Sequence, residues 1–202
     1  MMQLYISGNS PYARKARIAA RETGLISEIE EITVGSFEQL QEAGPGAKIP
    51  VLVCEDGTQL CESFIITRYL NDLAKGQLLP SEPSRLRHCL EIESVATVLL
   101  DSIFARSMEN NQRNENERSM TILEREQNRT ARCLDRLNEL TTEFEKEVTL
   151  ATIAVASSLG YASWRAPGDN WAQGRDNLNN YFEHFMKRRS FAETAPVFNQ
   201  QQ

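Results

Sequence analysis

The rhythm of apolar and polar positions changes partway along this chain. In the first 78 residues short apolar runs alternate with helical patterns. Leu4-Tyr-Ile6 predicts a brief strand. Ser10-Pro11 then opens a helix, because serine is a favoured N-cap and proline a favoured first helical residue. That helix carries Ala13, Ala16, Ala19 and Ala20 at close-packing positions and stops at Gly24. Ile29 to Val34 predicts a weaker strand, and Phe37 to Ala43 a short helix before the Gly44-Pro-Gly46 loop.

Lys48-Ile-Pro-Val-Leu-Val53 puts a proline at the head of an apolar run. Proline in a sheet is confined to a strand's first residue, an edge or a bulge, so Pro50 opens a strand and leaves the Ile49 backbone unpaired on one side. A cis Ile49–Pro50 bond would turn that backbone outward. The strand returns through Glu55-Asp-Gly57, a hairpin signal. Glu62-Ser63 then begins an amphipathic helix reaching to about Ala74. The order β-α-β-(α)-β-β-α gives a mixed sheet flanked by helices.

Leu79-Pro-Ser-Glu-Pro83 ends this pattern with two prolines, and every long segment after Ser84 reads as helical. Residues 1–78 are therefore expected to form an α/β domain, 79–86 a linker and 87–202 an all-helical domain. Met120, Leu123, Gln127, Ala131, Leu134 and Leu137 follow the three-and-four spacing of one buried stripe. Leu150 to Leu159 is apolar nearly all round, which predicts a helix buried on every side. Leu178, Tyr181, Phe182, Phe185 and Met186 mark the last helix. Asn110 to Arg118 is polar and reads as a loose connection, and Gln200-Gln-Gln202 as a frayed tail.

Composition narrows the picture further. Of 202 residues, 41% are apolar and 25% charged, the balance of an ordinary globular protein. A net charge of −6 supplies no basic stripe, which argues against nucleic acid as the main partner. No run of 18 apolar residues occurs, so no membrane span is expected. Met1 to Ile6 runs into strand-like sequence without a basic leader. The four cysteines Cys54, Cys61, Cys89 and Cys133 lack zinc or CxxC spacing. Free thiols in a reducing cytoplasm are the expectation, with Cys54 and Cys61 as buried inert thiols rather than a disulfide across the hairpin.

The candidate chemistry lies around the strand opened by Pro50. An exposed peptide edge beside a helix N-terminus makes an anion-binding corner, suited to a small peptide with a free carboxylate. Ser10 offers a hydroxyl donor at another helix N-terminus, where the dipole favours anions. The same serine also serves as a simple N-cap, and Ser7 is an alternative hydroxyl. Arg14, Lys15 and Arg17 could form an anion site, but a solvated helix face is the preferred reading.

Leu4-Tyr-Ile-Ser-Gly-Asn-Ser-Pro-Tyr-Ala-Arg-Lys-Ala-Arg17, Lys48-Ile-Pro-Val-Leu52 and Glu62-Ser63 follow one another in the order and spacing of the soluble glutathione S-transferases. Asp169-Asn-Trp171, Asn177-Leu178 and Arg188 to Pro196 resemble endings of the bacterial-type branch. The resemblance covers almost the whole chain. It implies a thioredoxin-like N-terminal domain that binds glutathione, an all-α C-terminal domain that holds a small hydrophobic electrophile, a homodimer, and no metal.

Residue by residue, Ser10 matches the thiolate-stabilising hydroxyl of serine-type members. Ile49 would give its backbone N–H and C=O to the cysteinyl unit of glutathione, as an added strand. Ser63 suits the γ-glutamyl carboxylate and Glu62 the nearby ammonium, while Lys48 is either a ligand for the glycyl carboxylate or a solvated lysine. Tyr161, Trp164 and Arg106 are candidates for the second-substrate pocket, with core or surface packing an equal reading for each. The chain departs from the family pattern at Thr149-Leu-Ala-Thr152, where a capping box usually ends in Asp, so a softer C-terminal domain is expected. Arg188-Arg-Ser190 also lacks the proline often found there. Conjugation is the leading reading. A non-catalytic interaction protein of the same fold, and glutathione-dependent peroxidase, dehalogenase or etherase chemistry, are the alternatives.

Overall fold

In the computed structural model, residues 1–144 and 146–197 are described. The expected tail at Gln200–Gln202 lies outside them. Strand β1 (Met2–Ile6) runs parallel to β2 (Ile29–Thr33) and antiparallel to β3 (Val51–Val53), which pairs antiparallel with β4 (Gln59–Cys61). The sheet order is β2-β1-β3-β4. Met2, Leu4 and Ile6 of β1 are buried and alternate with half-buried Gln3 and Tyr5, as a period of two requires. The hairpin closes by Cys54 N–H donating to Thr58 O (2.8 Å), with Gly57 at φ 85° where glycine is unstrained. The Ile49–Pro50 peptide is cis.

Helix α1 (Pro11–Glu22) ends before Gly24, and α2 (Phe37–Ala43) has the predicted bounds. Helix α3 (Ser63–Leu73) packs against α1. Ala13, Ala16, Ala19 and Ala20 are all fully buried, and their small side chains let α1 approach α3 on one side and α6 of the second half on the other.

The second half contains α4 (Pro83–Gln112), α5 (Met120–Leu140), α6 (Leu150–Arg165), α7 (Asp176–Met186) and α8 (Arg189–Ala192). Every residue of α6 from Leu150 to Ala162 is buried, so this helix is the axis of the bundle. Its N–H at Leu150 donates to Leu78 O (3.0 Å) and joins the two halves. None of the described helices is long and apolar enough to cross a membrane.

Several expectations are corrected. Arg14 and Lys15 are not on a solvated face; they are only 3% and 2% exposed. The guanidinium of Arg14 donates to Ala156 O (2.9 Å) and Phe191 O (3.1 Å), carbonyls at α6 and α8 that replace water. The buried stripe of α5 follows the apolar spacing only in its second half: Leu134 and Leu137 are buried, but Met120, Gln127 and Ala131 are exposed, and Glu126 and Thr130 face inward instead. The Glu126 carboxylate pairs with Arg125 (2.8 Å) and Arg129 (2.6 Å) of its own helix and accepts from the Ser102 hydroxyl of α4 (3.0 Å), which in turn accepts from Thr130 Oγ1 (3.2 Å).

Much of Asn110 to Arg118 is ordered, since α4 continues to Gln112 and a 3-10 turn spans Glu115–Glu117. Cys54 and Cys61 are half-buried rather than buried, and both are free thiols. The box at α6 closes with threonine. Thr149 N–H donates to Thr152 Oγ1 (2.8 Å) and Thr152 N–H to Thr149 Oγ1 (3.3 Å), so the feared loss of the cap does not occur.

Candidate active site

A cleft of about 820 Å³ lies between the sheet domain and the helical bundle. Its polar half comes from loops and helix starts of the N-terminal domain. Ser7, Ser10, Lys48, Ile49, Glu62 and Ser63 all line it, so every predicted glutathione contact reaches one cavity.

Local sequence explains their placement. Ser10 is the N-cap of α1, and its hydroxyl oxygen accepts from Ala13 N–H (3.2 Å). That bond polarises the hydroxyl and leaves its proton to donate into the cleft. Ser63 begins α3, is buried, and its hydroxyl has no hydrogen-bond partner among the described residues. Two helix N-termini therefore contribute positive potential to the same half of the cleft.

Two non-glycine residues on its rim adopt left-handed φ, Ala47 at 44° and Glu62 at 73°. Such backbone is disfavoured by roughly 1–3 kcal/mol, and it clusters where a chain is shaped for a ligand. The Glu62 carboxylate is exposed and makes no ion pair among the described residues, which leaves it able to receive a cation. Lys48 is exposed on the cleft edge.

The other half is aromatic. Phe104 of α4 and Tyr161 and Trp164 of α6 form its wall, with Tyr12 of α1 edge-on to Phe104 at 5.5 Å. Arg165 stacks over the Trp164 ring at 3.6 Å and covers it from solvent. The Tyr12 hydroxyl donates to Asp101 Oδ1 (2.7 Å). Burial first, and then this bond, raise the Tyr12 pKa, so it stays a neutral phenol already committed to a partner. With Tyr12 committed, Ser7 and Ser10 are the hydroxyls that the loop before α1 and the start of α1 offer to the cleft.

Beneath this wall Lys15 is buried near Glu93 and Asp101. Burial lowers its pKa, and the two carboxylates pull it back up. Of the three pocket candidates, Tyr161 and Trp164 are among the residues lining the cleft. Arg106 is not: it is forked onto Asp169, with Nη2 donating to Oδ1 (2.9 Å), and holds α4 to the turn after α6. Sequence reading missed Tyr12 of α1 and Asp101 and Phe104 of α4, since no local pattern distinguishes a helical residue facing a cleft from one facing solvent.

Residues 4–78 match the family model described as the N-terminal domain of glutathione S-transferase. The uncharacterized GST-like protein YibF of Escherichia coli K12 is 30% identical over 200 residues, spanning 96% of this chain and 98% of that protein. This chain belongs to the glutathione S-transferase family. A glutathione S-transferase of Methylobacillus flagellatus KT, solved with glutathione bound, is 32% identical with a TM-score of 0.86 over 98% of this chain and 100% of that one. One from Methylobacterium radiotolerans, in complex with glutathione sulfonate, is 28% identical with a TM-score of 0.89, covering 100% and 97%.

Proposed function

We propose that this chain joins reduced glutathione to small apolar electrophiles, acting as a homodimer in the cytoplasm. The observation that carries this reading is the division of one cleft into a polar half with two helix N-termini and an aromatic half from the bundle. Relatives of the same fold bind glutathione or its sulfonate.

The free thiol of glutathione has a pKa of about 8.5 and is a weak nucleophile at neutral pH. The Ser10 hydroxyl donates to the sulfur and, with the α1 dipole, favours the thiolate. Ile49 pairs its backbone with the cysteinyl unit. Ser63 and the α3 amides take the γ-glutamyl carboxylate, Glu62 the ammonium and Lys48 the glycyl carboxylate. The electrophile rests against Phe104, Tyr161 and Trp164. The sulfur electron pair forms the new C–S bond, and the displaced pair leaves with the leaving group or settles on the acceptor.

The roles divide in a measurable way. Ser10→Ala should lower turnover with 1-chloro-2,4-dinitrobenzene by roughly 10- to 100-fold while glutathione affinity stays within a few-fold. Ser63→Ala should weaken glutathione binding about tenfold, the worth of a hydrogen bond to a charged group. Equal loss of binding in both variants would contradict this assignment.

A further inference from the structure

We propose that a second cavity, at the opposite end of the α4–α6 pair, is a binding site for a small neutral aromatic molecule carrying one hydroxyl or carbonyl group. It goes beyond the transferase reading and does not depend on it. The cavity has a volume of about 290 Å³ and lies among the start of α4, the start of α6, the α5–α6 loop and α7. On α4, Ile92 lines this cavity and Phe104 the large cleft, 12 residues or roughly 18 Å apart along the helix. At the start of α6, Thr149, Ala151 and Thr152 line the first, and at its end Tyr161, Trp164 and Arg165 line the second.

The lining decides the ligand class. Its deep residues are Cys89, Ile92, Ala151, Thr152 and Tyr181, all buried, with the Phe144 ring on one side. The charged residues, including Arg85 and Glu147, are exposed at the mouth, where those two form an ion pair at 3.0 Å. A charged ligand would lose its water without gaining a buried counter-charge, so the occupant is neutral. An apolar cavity of about 150 Å³ holds benzene, and one about twice that size admits two fused rings.

Apart from His88, which is exposed, the polar groups of the buried lining are few, and all but one are occupied. Thr149 and Thr152 spend their hydroxyls on the capping box. Burial pushes the Cys89 thiol pKa up, so it packs as a thiol and no covalent step is involved. Tyr181 remains. It is 3% exposed, lines the cavity, and its hydroxyl has no hydrogen-bond partner among the described residues. Burial raises its pKa and keeps it a phenol, able both to donate and to accept. Its oxygen is not among the buried unpaired atoms, so it opens into the cavity, where a ligand hydroxyl or carbonyl can pair with it in place of water. The T-shaped packing of Tyr181 on Phe144 (4.9 Å between centroids) fixes its ring beside the wall a flat ligand would meet.

Calorimetric titration of the intact protein with 2-naphthol tests this. Saturable binding is expected, weakened roughly tenfold in Tyr181→Phe, where only the hydroxyl is lost. Filling the cavity with Ile92→Trp should abolish it, and Trp164→Ala, in the large cleft, should leave it unchanged. Absence of saturation up to millimolar 2-naphthol would overturn the proposal, as would loss in Trp164→Ala with Tyr181→Phe unaffected. Should Ile92→Trp fail to fold, crystals of the wild type soaked in 6-bromo-2-naphthol give a second readout. A bromine peak between Ile92 and Phe144 supports the site; one confined to Phe104, Tyr161 and Trp164 rejects it. These results are independent of glutathione turnover, so failure here leaves the transferase reading intact, and failure there leaves this one.

Discussion

Arg14 shows what a buried cation needs. Its guanidinium is drawn under the cleft by two carbonyls, and burial, followed by the nearby Arg17, lowers its pKa to about 10, still far above neutrality. Gly160 of α6 is the residue that makes room. A methyl group there would overlap Arg14 Nη1, and the guanidinium cannot move without breaking its bonds to Ala156 and Phe191. Alanine is intrinsically the better helix former, so propensity alone would predict that Gly160→Ala stabilises. Overpacking against a fixed side chain should win, at about 1–3 kcal/mol of destabilisation in urea unfolding. An unchanged or raised midpoint would show that Arg14 relocates freely.

At the scale of elements, Glu82 holds the start of α4. Its carboxylate accepts from the Ser84 hydroxyl and from the amides of Ser84 (3.0 Å) and Arg85 (2.8 Å). The Ser84 hydroxyl, then those two amides, hold its pKa down at about 2. A folded-state value below that of the unfolded chain stabilises at pH above the ordinary carboxylate value of 4.5, and this is lost as the pH falls toward 2. Glu82→Gln should therefore lower the melting temperature modestly at neutral pH, and the two melting curves should converge in acid. A difference that persists undiminished at pH 2 would contradict the capping account.

Elements were legible where local chemistry defines them. Ser10-Pro11, Pro50, Asp56-Gly57 and Glu62-Ser63 each act within a few residues, and together they shape the polar half of the cleft. The stripe of α5 was not legible, because Glu126 and Thr130 take buried positions that hydrophobic spacing assigns to apolar side chains. Arg125 and Arg129 neutralise Glu126 locally, but Ser102, which both inward side chains share, is more than 20 residues away in the chain. Arg14 and Lys15 were misplaced for the same reason: carbonyls and carboxylates from other helices compensate their burial. The aromatic half was only partly visible. Tyr12, Asp101 and Phe104 become neighbours only when α1 packs beside α4.

At the scale of the whole molecule, the halves are fastened through the C-terminal segment as well as at Leu78. Arg188 Nη2 donates to Glu22 Oε2 (2.8 Å), and Asn9 exchanges two hydrogen bonds with the Val197 backbone (3.2 and 3.0 Å). The C-terminal segment is thus tied to the loop that carries Ser10. Another face is left apolar. Phe64, Ile65 and Leu73 of α3 and Leu90 and Val98 of α4 are exposed, and Arg68–Glu93 (2.6 Å) links the two helices between them. Apolar exposure on adjoining elements suits a subunit interface. Sedimentation velocity at micromolar concentration should give twice the 22.9 kDa chain mass, and Val98→Glu should shift it toward the monomer. A monomeric wild type would remove the homodimer from the account.

The central claim is that the cleft between the two halves receives glutathione. Calorimetric titration with reduced glutathione tests it most directly. The account predicts saturable binding of one molecule per chain, weakened about tenfold in Ser63→Ala and retained in Ser10→Ala. No heat of binding at millimolar glutathione, with the protein shown to be folded, would contradict it and move this family member to a role that does not use the tripeptide.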